Sequence, residues 1–175
     1  MNRRHFLGLA LSAAAMPVLA ERQSHRPRIL SFHHRHTGEK VKVAYRIGNA
    51  YQRDALQTLN DFMRDFRTDD VIALDPKLFD LLYNLNRRLS YPRGPIEILS
   101  AYRSPRTNAM LCRTSRRVAR NSLHMQGKTV DIRFPGTSAR WVRDSTISLN
   151  QGGVGFYPRS DFVHVDTGEV RRWVA

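Results

Sequence analysis

The sequence has one cysteine, Cys112, in 175 residues. No intrachain disulfide can form, so packing alone must hold the fold. Beyond the N-terminus no apolar run approaches membrane-spanning length, which excludes a later transmembrane helix. Acidic residues are scarce, with 15 against 29 basic ones, a net charge of +14. Internal repeats and low-complexity segments are absent, which excludes a solenoid or a linker-rich chain.

What is present begins with "MNRRHFLGLALSAAAMPVLA". Two arginines precede an apolar run from Phe6 to Ala15, and Val18-Leu19-Ala20 ends on small residues. That layout predicts an export signal over residues 1–20. "RRHFL" suits a twin-arginine signal as well as an ordinary secretory one, and a retained anchor is the third alternative. Residues 21–28 read as a polar tail and residues 29–175 as one domain with room for one core. Without Arg3 and Arg4, 27 basic residues still face 15 acidic ones. Such an excess favours an anionic partner by long-range attraction. For an exported chain the available polyanions are the bacterial cell wall and anionic lipid, and no nucleic acid is expected. The expected state is a periplasmic monomer with no integral membrane span once the signal is cleaved.

"ILSFHHRH", "TGE" and "KVKVAYRI" predict a hairpin. Leu56, Leu59, Phe62, Met63 and Phe66 fall at helical spacing over residues 52–66. Asp75-Pro76 and Ser104-Pro105 are helix starts with proline in the first turn. They predict helices through "KLFDLLYNLNRRL" and over residues 104–119. "SARWVRDSTISLN" is a fourth helix, ended by Gly152-Gly153. "PIEILSAY", "VGFY", "FVHVD" and "EVRRWV" read as strands. The order predicts an α+β fold, an antiparallel sheet with helices packed on one side.

"NSLHMQGKTVDIRF" puts His124 and Asp131 seven positions apart. On a helix they would lie roughly 10 Å apart along the axis. On a straight strand they would be more than roughly 20 Å apart, on opposite faces. Neither lets both reach one ion at about 2 Å. A shared ion therefore needs a turn, and Gly127 can supply it. Beyond it, Val130, Ile132 and Phe134 alternate with Asp131, which would face away from them. "DFVHVD" offers His164, with Asp166 on the same strand face. His124, Asp131 and His164 would give two nitrogens and one oxygen with a fourth position for water, the layout of catalytic zinc. Taken singly, a turn histidine and a strand-end aspartate are the alternative readings.

The combination resembles a known family. "SLHMQGKTVD" resembles the Ser-x-His-x-x-Gly-x-Ala-x-Asp signature of the zinc D-Ala-D-Ala peptidases, whose superfamily includes lysostaphin and the hedgehog domain. "ILSAYRS" resembles the strand and arginine turn before it. "GGVGFYPRSDFVHVDTGEVRRW" resembles the C-terminal block of periplasmic murein endopeptidases, and "HTGE" and "LNDFMRDFRTDD" their N-terminal blocks. The resemblance spans nearly all of residues 29–173. It implies a hedgehog/D,D-peptidase-like fold, one zinc ion at His124, Asp131 and His164, and hydrolysis of peptide crosslinks in peptidoglycan. Arg103 would bind a substrate carboxylate or stabilise the oxyanion, and Ser122 would contact substrate. Thr129 departs from the signature's alanine. Relatives often carry a glutamate three residues before the last ligand or a histidine two before it. Asp161 and Phe162 stand there. Asp161 and Asp166 are both candidates for the general base, and Asp166 alternatively orients a ligand histidine. A D,D- or L,D-carboxypeptidase with the same site, and a metal-holding wall-binding protein without catalysis, are the rival readings.

Four further features have structural readings. His33, His34 and His36 form a second histidine cluster, with His34 and His36 on one strand face as metal candidates or hairpin polar groups. Arg113, Arg116, Arg117 and Arg120 form a basic rim or a solvated helix face. Cys112 reads as a small buried hydrophobe, and Trp141 and Trp173 as core or edge packing.

Overall fold

The computed structural model describes residues 26–90, 94–115 and 118–175. The expected export signal, the tail up to residue 25, the helix stop at Pro92-Arg93, and Arg116 and Arg117 lie outside the described residues.

The hairpin pairs β1 (Pro27–His34) with β2 (Lys40–Ile47), and a two-residue β3 (Ala50–Tyr51) adds to β2. Strand β1 begins inside the expected polar tail, at Pro27. Helix α1 (Arg53–Phe62) buries Leu59 and Phe62. It stops before Phe66, where Asp65 turns inward and accepts the Ser104 N–H at 2.9 Å. Helix α2 (Pro76–Arg88) starts as the sequence predicts, with the Asp75 carboxylate accepting the Lys77 N–H. Strand β4 (Ile96–Ser100) then leads to α3 (Pro105–Thr114), capped by Ser104. Helix α3 ends five residues short of Ala119, because Ser115 is extended (φ −146°, ψ 125°). Arg113 and Arg120 therefore do not share a helix face. Strand β5 (Thr129–Arg133), helix α4 (Ala139–Leu149), and β6 (Val154–Tyr157), β7 (Phe162–Asp166) and β8 (Arg172–Val174) complete the chain. Asn150, in the left-handed region at φ 52°, closes α4 before the two glycines.

Among the described residues, eight strands form one sheet in the order β3-β2-β1-β4-β5-β7-β6-β8. The sheet is mixed rather than antiparallel. Strand β4 runs parallel to β1 and β8 parallel to β6. The crossover through α1 and α2 delivers β4 in the direction of β1, a connection no tight hairpin can make. Along the central strands the side chains alternate. Leu30, Phe32, Ile96, Ile98, Val130, Ile132, Val163 and Val165 are buried in one cluster with Leu59, Leu78, Leu82 and Val142 from α1, α2 and α4. Asp131 and His164 alternate with these residues and point to the other face. Among the described residues no helix is long and apolar enough to cross a membrane.

His34 ends β1 in the core, 1 % exposed. Its Nδ1 accepts the N–H groups of His36 and Thr37, both at 3.3 Å. It is a turn-closing group, and His36 stacks on Phe66 at 4.3 Å. Cys112 is half-buried, with Sγ 3.5 Å from the Val118 carbonyl.

Candidate metal centre

His124 lies in a short 3-10 helix, Leu123–Gln126. The Ser122 hydroxyl caps it by accepting the His124 N–H, and Gly127 closes it at φ 65°, ψ 24°. A side chain at Gly127 would be strained by that φ and would also press on the Ala73 carbonyl, 3.0 Å from an ideal Cβ. The turn expected between His124 and Asp131 is thus present, and β5 begins two residues beyond it. Asp131 stands directly opposite His164 on the antiparallel neighbour β7.

The possible ligand atoms of His124, Asp131 and His164 all lie within 4.8 Å of one another, and all three residues are buried. His124 Nε2 is 3.4 Å from Asp131 Oδ2, and His164 Nδ1 is 2.9 Å from Asp131 Oδ1. The other nitrogen of each ring is anchored. His124 Nδ1 sits 2.6 Å from the Ala101 carbonyl, which makes it the N–H and leaves a lone pair on Nε2. His164 Nε2 faces Thr129 Oγ1 at 2.9 Å and Asp166 Oδ2 at 3.3 Å. Thr129, at the alanine position of the signature, donates its hydroxyl to the Val165 carbonyl at 2.7 Å. It can therefore accept from His164.

Electrostatics follow from burial and pairing. Burial alone would raise the Asp131 carboxyl, but the two histidines outweigh it and hold the group far below the carboxylate range. Burial pushes His124 down. Burial also opposes protonation of His164, yet its hydrogen bonds to Asp131 and Asp166 raise it on balance. Two buried histidines and a carboxylate that stays ionised make a donor set suited to a divalent cation.

The other expected site residues fall in different places. Arg103 lies beside the triad, its Nη2 3.7 Å from Asp131 Oδ2, and burial lowers its pKa. Arg103 and Ser122 both line a cavity of about 390 Å³ that contains the triad. Asp166 is fully buried behind His164. It accepts the N–H groups of Gly153 and Gly168 at 3.0 and 2.8 Å and pairs with Arg171 at 2.8 Å. Burial would raise its carboxyl, but these partners and His164 bring it down to about 2. Asp161 sits in the β6–β7 turn at φ 51°, exposed, with its carboxylate 3.3 Å from Arg133 Nε.

Tyr157, Phe162, Arg171 and Trp173 also line the cavity. Phe162 stacks on Tyr157 at 4.3 Å. Trp173 is not simple edge packing, because its ring centroid is 5.0 Å from that of His164. Trp141, by contrast, is exposed on α4. The aromatic spacing in β6, β7 and β8 was the available signal, but only the strand order brings these side chains to the triad.

The profile described as peptidoglycan L,D-endopeptidase MepK matches residues 22–173. The chain is 42 % identical over 177 residues to the peptidoglycan L,D-endopeptidase MepK of Escherichia coli (strain K12), covering 98 % of this chain and 97 % of that protein. The protein of the same name from Shigella flexneri matches with the same identity and coverage. No solved structure is a significant match.

Proposed function

We propose, for a chain that belongs to the peptidoglycan L,D-endopeptidase MepK family, that it is a peptidoglycan-hydrolysing metallopeptidase whose substrate is the L,D-crosslink between stem peptides. The observation that carries the reading is the buried His124–Asp131–His164 cluster at the floor of an open cavity. The relatives' name supplies the bond, and the basic charge of the chain suits an anionic polymer.

One zinc ion fits the donor set. The separations of 2.9 and 3.4 Å between neighbouring donors match those of atoms that share one ion at about 2 Å. His124 Nε2, the Asp131 carboxylate and His164 Nδ1 would hold it. When bound, such an ion supplies Lewis-acid polarisation of the scissile carbonyl and of a water.

The chain's own residues do the rest. The Ala101 carbonyl fixes the ring of His124, and Asp166 with Thr129 fixes that of His164, so both lone pairs are preset. Asp166 is a positioning residue in this reading. Held to about 2 and satisfied on both oxygens, it is a weak base. Asp161 takes the proton from water and passes it to the leaving amine. It stands three residues before His164 and next to Phe162, which lines the cavity, with its exposed carboxylate against Arg133 at the edge of that lining. Arg103 offers its guanidinium to the oxyanion or to a substrate carboxylate, and Ser122 lies within reach of substrate. The protein acts in the periplasm, where its substrate is, after export.

Purified dimeric muropeptides with L,D- and with D,D-crosslinks test this reading. Conversion of the L,D-dimer to monomers, abolished by a chelator, is the expected result. Release of only terminal residues would establish a carboxypeptidase instead, and zinc binding without any product would leave a wall-binding protein.

A further inference from the structure

Arg171 and Trp173 face the triad's cavity, though neither belongs to the ligand set. The Trp173 indole packs flat on Gly155, where any Cβ would collide with the ring. Its Nε1–H donates to the Tyr157 hydroxyl at 3.3 Å. The Arg171 guanidinium lies 5.1 Å from the centre of the indole. Nη2 donates to Asp166 Oδ2 at 2.8 Å, while Nη1 donates to Asp166 Oδ1 at 3.3 Å and to the Glu169 carbonyl at 3.2 Å. A guanidinium has five N–H donors. The Nε–H and one Nη2–H have no partner among the described residues. The side chain remains 44 % exposed, although the carboxylate that anchors it is wholly buried.

The anchor does not need Arg171 for hydrogen bonding alone, since Gly153, Gly168 and His164 already serve Asp166. The cation is instead a pre-oriented group with spare donors, beside the triad and over a flat aromatic wall. Arg103, the other arginine among the described lining residues, turns Nε and Nη2 toward the Ser100 hydroxyl and has only 11 % of its side chain exposed. In an L,D-crosslink the scissile nitrogen belongs to a D-centre that keeps its own carboxylate. Where that carboxylate is free, an anion lies next to the bond that is cut.

We infer that Arg171 is a specificity-determining residue that binds this D-centre carboxylate, with Trp173 as the wall that orients it. The inference rests on the endopeptidase reading above. It is tested with two synthetic L,D-crosslinked dimers that differ only in whether the D-centre carboxylate is free or amidated. The zinc-loaded wild type, Arg171→Ala and Arg171→Lys are compared by kcat, KM and zinc content. Wild type should favour the free carboxylate by about 10- to 100-fold in kcat/KM, the usual worth of a charge-assisted contact. Arg171→Ala should erase the preference, lose far more kcat/KM on the free-carboxylate dimer than on the amidated one, and keep its zinc. Arg171→Lys should recover part of the preference. Equal cleavage of both dimers by wild type would overturn the inference while leaving the endopeptidase reading intact. Loss of zinc and of both activities together in Arg171→Ala would overturn it too, because Arg171 would then only be bracing Asp166. Cleavage of neither dimer by wild type would end both readings.

Discussion

His164 and Asp166 share one face of β7, and Asp166 Oδ2 lies 3.3 Å from His164 Nε2. The two are a ligand candidate and its brace. Nδ1 of the same ring points at Asp131, so the proton belongs on Nε2 whenever Nδ1 binds a cation. Replacing Asp166 by Asn leaves a group of the same shape that can no longer demand a proton from Nε2. Zinc affinity should fall about 10- to 100-fold. Competition titration against a chromogenic chelator reads this directly, and unchanged affinity would remove Asp166 from the ring-positioning role.

Asp161 should behave in the opposite way. It is exposed and contacts Arg133 rather than the triad. Asp161→Ala should keep full zinc content while kcat falls by about 100-fold or more, the usual worth of a general base. An Asp161→Ala protein with full activity would move the proton step elsewhere.

Thr129 stands where the signature has alanine, and here its hydroxyl joins the Val165 carbonyl to the ring of His164. Thr129→Ala should cost about 1 to 2 kcal/mol of stability through one lost buried hydrogen bond. Zinc affinity should weaken a few-fold. Chemical denaturation of the metal-free and metal-loaded forms separates the two effects, and a neutral outcome in both would make the hydroxyl incidental.

The His34 ring predicts a pH dependence away from the site. Burial, with smaller repulsion from His36, lowers it from 6.5 to about 4. Its Nδ1 accepts two backbone N–H groups, which a proton there would oppose. Between pH 6.5 and 4 the unfolded chain binds a proton that the folded chain refuses. This residue's contribution therefore makes the fold less stable as pH falls through that window, by roughly 3 kcal/mol at about 1.4 kcal/mol per unit. His34→Gln should flatten the slope of stability against pH between 4 and 6.5 relative to wild type. Parallel slopes in the two proteins would show that His34 does not titrate there.

The local parts of the site were legible in the sequence. Gly127 between His124 and Asp131 required a turn, because neither regular period could unite the pair. The alternation of Val130 and Ile132 with Asp131 placed the aspartate on the outer face of its strand. The helix starts at Asp75-Pro76 and Ser104-Pro105 were equally local, since side chain and backbone meet within three residues. The parallel pairing of β1 with β4 was not legible, because strand direction there is set by a crossover through two helices. The ends of α1 and α3 depend on Asp65 reaching Ser104 and on the extended backbone of Ser115. The wall formed by Arg171 and Trp173 was hidden for the same reason. It exists only because β8 pairs with β6, and β6 with β7.

Metal content measured against activity tests the central claim most directly. Protein stripped with a chelator and titrated with zinc should bind one equivalent per chain, and cleavage of the L,D-crosslinked dimer should rise with occupancy and saturate at that point. His124→Ala, Asp131→Ala and His164→Ala should each lose both. Full cleavage by the stripped protein, or a stoichiometric zinc ion that survives all three substitutions, would contradict the account.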